Sequence, residues 1–237
     1  MKRLKLSALD LDSLQSVVDI EEHPIADYPW LDVDHIVLRE DEQQQIEAIV
    51  HCLRKSSTNL FNEATIWGKA IFPLFLLAEQ GNIEAWTEVP LSAQYAQFEL
   101  DGIADGVLGR GIAGRITAPY LVMVEAKRGI DGENPIFRLY GQILCGAWQN
   151  WRRNRGDPSE LGKANRQEIF GCYTIGQTWQ FVRAEVAGFE DTAAMPGEAH
   201  RPMLWVEYSQ EYPETTEAER IVRIPKSVVQ RHLADAV

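Results

Sequence analysis

The stretch that most narrows what this chain can fold into is YLVMVEAK, residues 120–127. Residues 120–124 carry no charge and read as a strand buried on both faces, the kind that sits in the middle of a sheet with helices over it. The same run ends in Glu125 and Lys127. Alternation along a strand puts those two side chains on one face and Ala126 on the other. Asp101 and Asp105 also share a face of their own segment, if that segment is extended. Pairing of the two segments would bring an acid up to the Glu and the Lys. That combination can hold a divalent cation beside a lysine.

The flanking sequence supplies helices and more strands. Ile46, Ile49, Val50 and Leu53 recur at helical spacing, which predicts a helix over 41–55. A second helix is predicted over about 61–79, kinked or begun late at Pro73, with Glu63 near its start, where an acid also suits the helix dipole. Residues 83–89 and 93–100 read as strands with Pro90 between them. Asp101-Gly102 is either a hairpin turn or part of a strand that runs on to 108. Asp105 lies inside a strand in both cases, where an acid needs a partner or a solvated mouth. The run GRGIAG, residues 109–114, matches the dinucleotide-binding glycine pattern, but Pro119 leaves no room for the helix that pattern requires. It reads as a hairpin link. Residues 136–153 read as a helix with Gln142 among its apolar residues. Residues 152–166 read as a basic loop, and 169–175 with 178–186 as a hairpin around Gly176-Gln177. A Gly/Pro-containing loop over 188–202, short strands over 203–208 and 221–224 and a helix over 226–236 complete the expectation.

Residues 1–40 are rich in acids and broken by Pro24 and Pro29, and are expected to form a solvated acidic extension to a single domain spanning 41–237. The formal net charge of -12 argues against non-specific coating of nucleic acid. Charge is uneven, however: residues 101–168 carry 10 Lys and Arg against 8 Asp and Glu, whereas the rest of the chain has a net charge of -14. Cys52, Cys145 and Cys172 lack zinc spacing and fit a reducing, cytoplasmic setting. No apolar run is long enough to span a membrane, and no signal peptide is read. The five histidines are scattered, and no serine sits in a nucleophile elbow.

Taken in order, four pieces resemble the PD-(D/E)XK nuclease superfamily, the restriction-endonuclease-like fold. They are Asn62-Glu63 with Pro73-Leu74, Gly102-Ile103-Ala104-Asp105, Val124-Glu125-Ala126-Lys127, and Tyr140-Gly141-Gln142. The 173–181 segment, with Thr174, Gly176 and Trp179, also resembles a hairpin of some restriction-subunit relatives. The match covers about residues 60–186, and Ala104 stands where the name motif has proline. The resemblance implies an α/β fold with a mixed central sheet flanked by helices, and Mg²⁺- or Mn²⁺-dependent hydrolysis of phosphodiesters, DNA first among them. It assigns Glu63, Asp105 and Glu125 to the metal, and Lys127 and Gln142 to catalysis beside them. Arg128, Arg152, Arg153 and Arg155 are the candidate phosphate contacts. A homodimer or a protein partner fits an enzyme that cuts two strands. The alternative is an inactive relative of that fold, serving as a binding module.

Overall fold

The computed structural model describes residues 1–127, 134–154, 165–189 and 201–235. Its centre is an eight-stranded mixed sheet with helices on both faces, an α/β architecture. The strands are β1 (Lys2–Lys5), β2 (Asp19–Glu22), β3 (Ile83–Gln94), β4 (Phe98–Ile112), β5 (Arg115–Lys127), β6 (Arg166–Ile175), β7 (Thr178–Ala187) and β8 (Met203–Pro213). Their order is β1-β4-β5-β6-β7-β8-β2, with β3 on the other edge of β4. The β5–β6 pair is parallel, so the chain must cross over between them. It does so through α5 (Pro135–Asn154) on one face. The opposite face is covered by α2 (Glu40–Arg54), α3 (Glu63–Ile66), α4 (Phe72–Leu76) and α6 (Glu214–Asp235).

Two apolar cores result, one under α5 and one under α2, α4 and α6. The central run of β5 serves both: Met123 packs on the α5 side, and Val122 and Val124 on the other. That is why it reads as uncharged throughout.

The acidic segment 1–40 is built into this sheet and does not project from it. It supplies β1 and β2, at opposite ends of the strand order, and α1 (Leu11–Gln15) between them, capped by the Asp10 carboxylate on the Ser13 N–H at 2.8 Å. Leu6, Leu14, Val17 and Val18 are buried in the α5-side core as the segment crosses that face. Composition obscured this because the acids occupy exposed positions while widely spaced apolar residues fill the core. Gly141 permits the crossing: a Cβ there would stand 2.3 Å from Leu9 Cδ1 and 2.6 Å from Leu6 Cδ2.

Two further expectations need correction. The β3–β4 turn falls at 95–97, and β3 continues through Pro90, which the edge of a sheet tolerates. Of the two readings of Asp101-Gly102, the continuous strand is the one found. Residues 221–224 are helical, within α6. Their branched side chains suggested a strand, yet Ile221, Val222, Ile224, Val228 and Val229 form one buried helical face. The glycine-rich run lies in the β4–β5 hairpin, whose turn is Ala113-Gly114 with both φ values positive, at 49° and 74°. The loop read over 188–202 falls largely outside the described residues, as does 155–164 of the basic loop.

Candidate active site

The site is made by a strand that changes partners. Along one edge, β4 pairs with β3 from Glu99 to Arg110. Along the other edge, residues Phe98 to Asp101 pair with β1, and Gly106 to Ile112 pair with β5. Residues 102–105 of that edge have no strand partner among the described residues. Asp105 sits in this break, where β4 parts from β5.

The parting has a local cause. Ile83 and Ala85 of β3 pack in the α6-side core, whereas Val89, Leu91 and Ala93 pack in the α5-side core. On β4, Leu108 and Ala104 divide in the same way. Side-chain alternation is therefore interrupted in both strands between the Thr87–Gly106 and Val89–Ala104 pairs, the stretch that holds Glu88 and Asp105. Glu88 has φ 52°, a left-handed conformation that costs a non-glycine residue about 1 kcal/mol. Ala126, past the last β4–β5 pair, has no strand carbonyl for its N–H. The Asp105 Oδ2 accepts it instead, at 2.8 Å.

Glu125 is fully buried under α5. Its Oε2 accepts the Gln142 amide N–H at 2.7 Å, and its Oε1 lies 3.1 Å from Lys127 Nζ and 3.0 Å from Arg138 Nη1. Arg138 also places Nη2 at 3.5 Å from Asp105 Oδ1 and donates to the Ile103 carbonyl at 3.2 Å. Each carboxylate thus has one oxygen fixed by a neutral N–H and the other turned toward the Arg138 guanidinium. Burial, and then the charge of Asp105, push the Glu125 carboxyl up to about 7, against the opposing pull of Arg138 and Lys127.

Beside Asp105 opens a cavity of about 190 Å³ lined by Glu63, Ala64, Trp67, Thr87, Glu88, Asp105 and Ala126. Glu63 begins α3, whose N-cap Asn62 accepts the Thr65 N–H at 2.8 Å. One turn on, the helix passes through a π turn, Trp67–Ile71, with the Phe72 N–H reaching back to the Trp67 carbonyl. Pro73 has no N–H to offer Lys69, so an ordinary α ladder cannot continue there. Trp67 lies over Gly106, where an added Cβ would stand 2.8 Å from the ring.

Of the residues expected from sequence, Asp105, Glu125, Lys127 and Gln142 meet in one network, and Glu63 lines the same cavity as Asp105 but makes no contact with that network among the described residues. Among the described residues, no three of His, Cys, Asp and Glu are gathered closely enough to hold a metal by themselves. Arg152 and Arg153 are in the last turn of α5, about 21 Å along the helix axis from Arg138. There Arg152 lies over the Trp148 ring and Arg153 donates to the Ala118 carbonyl. They do not join the carboxylates. Arg128 and Arg155 lie outside the described residues. Two participants were missed from sequence. Arg138 had a usable signal, since it precedes Gln142 by four residues and shares its helix face. Glu88 had none, because its role depends on the β3–β4 register.

No protein-family model matches the chain, and no curated protein does. No helix among the described residues is long and apolar enough to cross a membrane.

Proposed function

We propose that this chain is a divalent-metal-dependent phosphodiesterase of the PD-(D/E)XK kind, with a restriction-endonuclease-like core, acting on nucleic acid and on DNA first. The observation that carries this reading is that Asp105 Oδ1 and Glu125 Oε1 both approach one guanidinium, with Lys127 Nζ beside Glu125, at the break in the β4 edge.

Mg²⁺ or Mn²⁺ fits that position. Both inward oxygens are hard carboxylate donors, and a positive group already stands between them. Asp105 and Glu125 would hold the ion, with Glu63 and the Ala126 carbonyl available to extend its shell. When bound, the ion would polarise a phosphate and a water molecule. The chain's own groups do the rest. Gln142 and the Ala126 N–H fix the outer carboxylate oxygens. Gln142 Oε1 is a buried acceptor with no partner among the described residues, suited to a water hydrogen. Lys127 presents an ammonium to orient the water or to steady charge on the phosphate. The acid-lined cavity disfavours a bare phosphate, which makes entry of the anion depend on a cation.

One observation favours the second reading, a binding module without catalysis: Arg138 already pairs with both carboxylates. Calorimetric titration of Mn²⁺ in the presence of a phosphorothioate DNA duplex separates the two. The enzyme reading requires binding by the wild type that disappears in folded Asp105→Ala/Glu125→Ala. Absence of Mn²⁺ binding by the wild type supports the binding module.

A further inference from the structure

We propose that Arg138 is a gate on the cation position: its guanidinium closes the space between Asp105 and Glu125 until a substrate phosphate draws it away, so that metal and nucleic acid bind cooperatively. The proposal rests on the metal-dependent reading above and adds to it the order in which the site is filled.

The guanidinium touches the inward oxygen of both carboxylates, at 3.0 Å and 3.5 Å. A divalent cation needs those same oxygens, and a cation and a guanidinium so close together would repel strongly in a partly buried site. Arg138 must therefore leave for the metal to enter. Among the described residues its other holds are weak: besides the two acids one carbonyl, that of Ile103, accepts from it, and its Nε is buried without a hydrogen-bond partner. The carboxylates, by contrast, keep their neutral donors when Arg138 goes.

Phosphate is the group best suited to take the guanidinium, since two parallel N–H donors match two phosphate oxygens. Arg138 is in the first turn of α5 and its side chain is 24% exposed, so it can turn outward without unfolding the helix. A phosphodiester arriving at the mouth would pair with Arg138 and free both carboxylates together. By linkage, metal would then tighten the binding of nucleic acid by the same factor as nucleic acid tightens that of metal. The arrangement keeps the hydrolytic centre without metal while it lacks substrate.

The test is calorimetric titration of Mn²⁺ into the full-length chain, alone and with a phosphorothioate DNA duplex, for wild type, Arg138→Met and Asp105→Ala. The gate predicts that the duplex tightens Mn²⁺ binding by the wild type about tenfold or more. It predicts that Arg138→Met binds Mn²⁺ without the duplex as tightly as the wild type does with it. Arg138→Lys, whose single ammonium cannot bridge both acids, serves if the Met variant does not fold, and should also bind Mn²⁺ more tightly without the duplex. Equal Mn²⁺ affinity in wild type and folded Arg138 variants, still abolished by Asp105→Ala, overturns the gate and leaves the metal site standing. No Mn²⁺ binding in any protein, with or without duplex, overturns the metal site and the gate together.

Discussion

Two carboxyl groups in this molecule are buried to the same degree and pushed to the same value, about 7, yet they are built for different ends. Glu125 lies under α5 with Asp105, Lys127, Arg138 and Gln142 around it. Glu214 lies on the opposite side of the sheet at the start of α6. Its Oε1 accepts the Trp179 indole N–H at 2.7 Å, and its Oε2 has no partner among the described residues. In both, burial raises the carboxyl first. At Glu125 the neighbouring cations oppose that rise, whereas at Glu214 the indole alone does so among the described residues. On the reading proposed above, the acid among charged partners exchanges them. A buried acid facing one indole is arranged to stay as it is. A raised carboxyl alone does not mark a site; the charges that could replace one another around it do.

The comparison breaks most readily at activity. Lys127→Ala should lower metal-dependent DNA cleavage by about 10³-fold, within the range for losing a positioned acid–base or electrostatic group. Glu125→Gln should abolish cleavage as well, whereas Glu214→Gln should retain it in full. Loss of activity in Glu214→Gln, with native circular dichroism, would erase the distinction between the two acids.

A second effect concerns stability against pH. The Glu214 carboxyl stays protonated in the fold up to about 7, against an ordinary value of 4.5 in the unfolded chain. Between those values the native state binds more protons, so stability is full below about 4.5, falls as pH rises toward 7 and stays low beyond it. The loss attributable to this group is on the order of 3 kcal/mol. Glu214→Gln cannot ionise and should remove its share of that slope in urea unfolding measured from pH 4.5 to 8, leaving the similar share of Glu125. An unchanged slope would contradict the assignment.

The smallest effect sharpens the account of the break beside Asp105. Glu88→Gly should relieve the left-handed conformation and stabilise the fold by about 1 kcal/mol, read by thermal unfolding. Destabilisation would show that the Glu88 side chain contributes more to the fold than its backbone costs.

Much of this was legible in the sequence, for identifiable reasons. The β5 run announces a strand buried on both faces because two cores use it, and the Glu125–Lys127 spacing follows from alternation alone. Gln142 could be placed on a helix by periodicity, and its glycine and tyrosine neighbours prove to have separate tasks: Gly141 admits the N-terminal crossing and Tyr140 bonds Glu22. The change of partners along β4 was not legible, because pairing between residues 2–5 and 98–101 leaves no local mark. For the same reason the acidic N-terminal segment read as solvated. Arg138 was legible only through Gln142, four residues on and on the same helix face; by itself an arginine in a first helical turn looks like an ordinary surface residue. The 221–224 segment shows tertiary burial overriding branched-residue preference.

The most direct test of the central claim is cleavage itself. Purified wild type and Asp105→Ala/Glu125→Ala would be incubated with Mg²⁺ or Mn²⁺ and a panel of single-stranded, double-stranded and branched DNA and RNA, with chelator controls. The account predicts metal-dependent cleavage of at least one substrate, DNA first, by the wild type and none by the folded double variant. Cleavage by the double variant at the wild-type rate, or no cleavage of any substrate by the wild type, would contradict it.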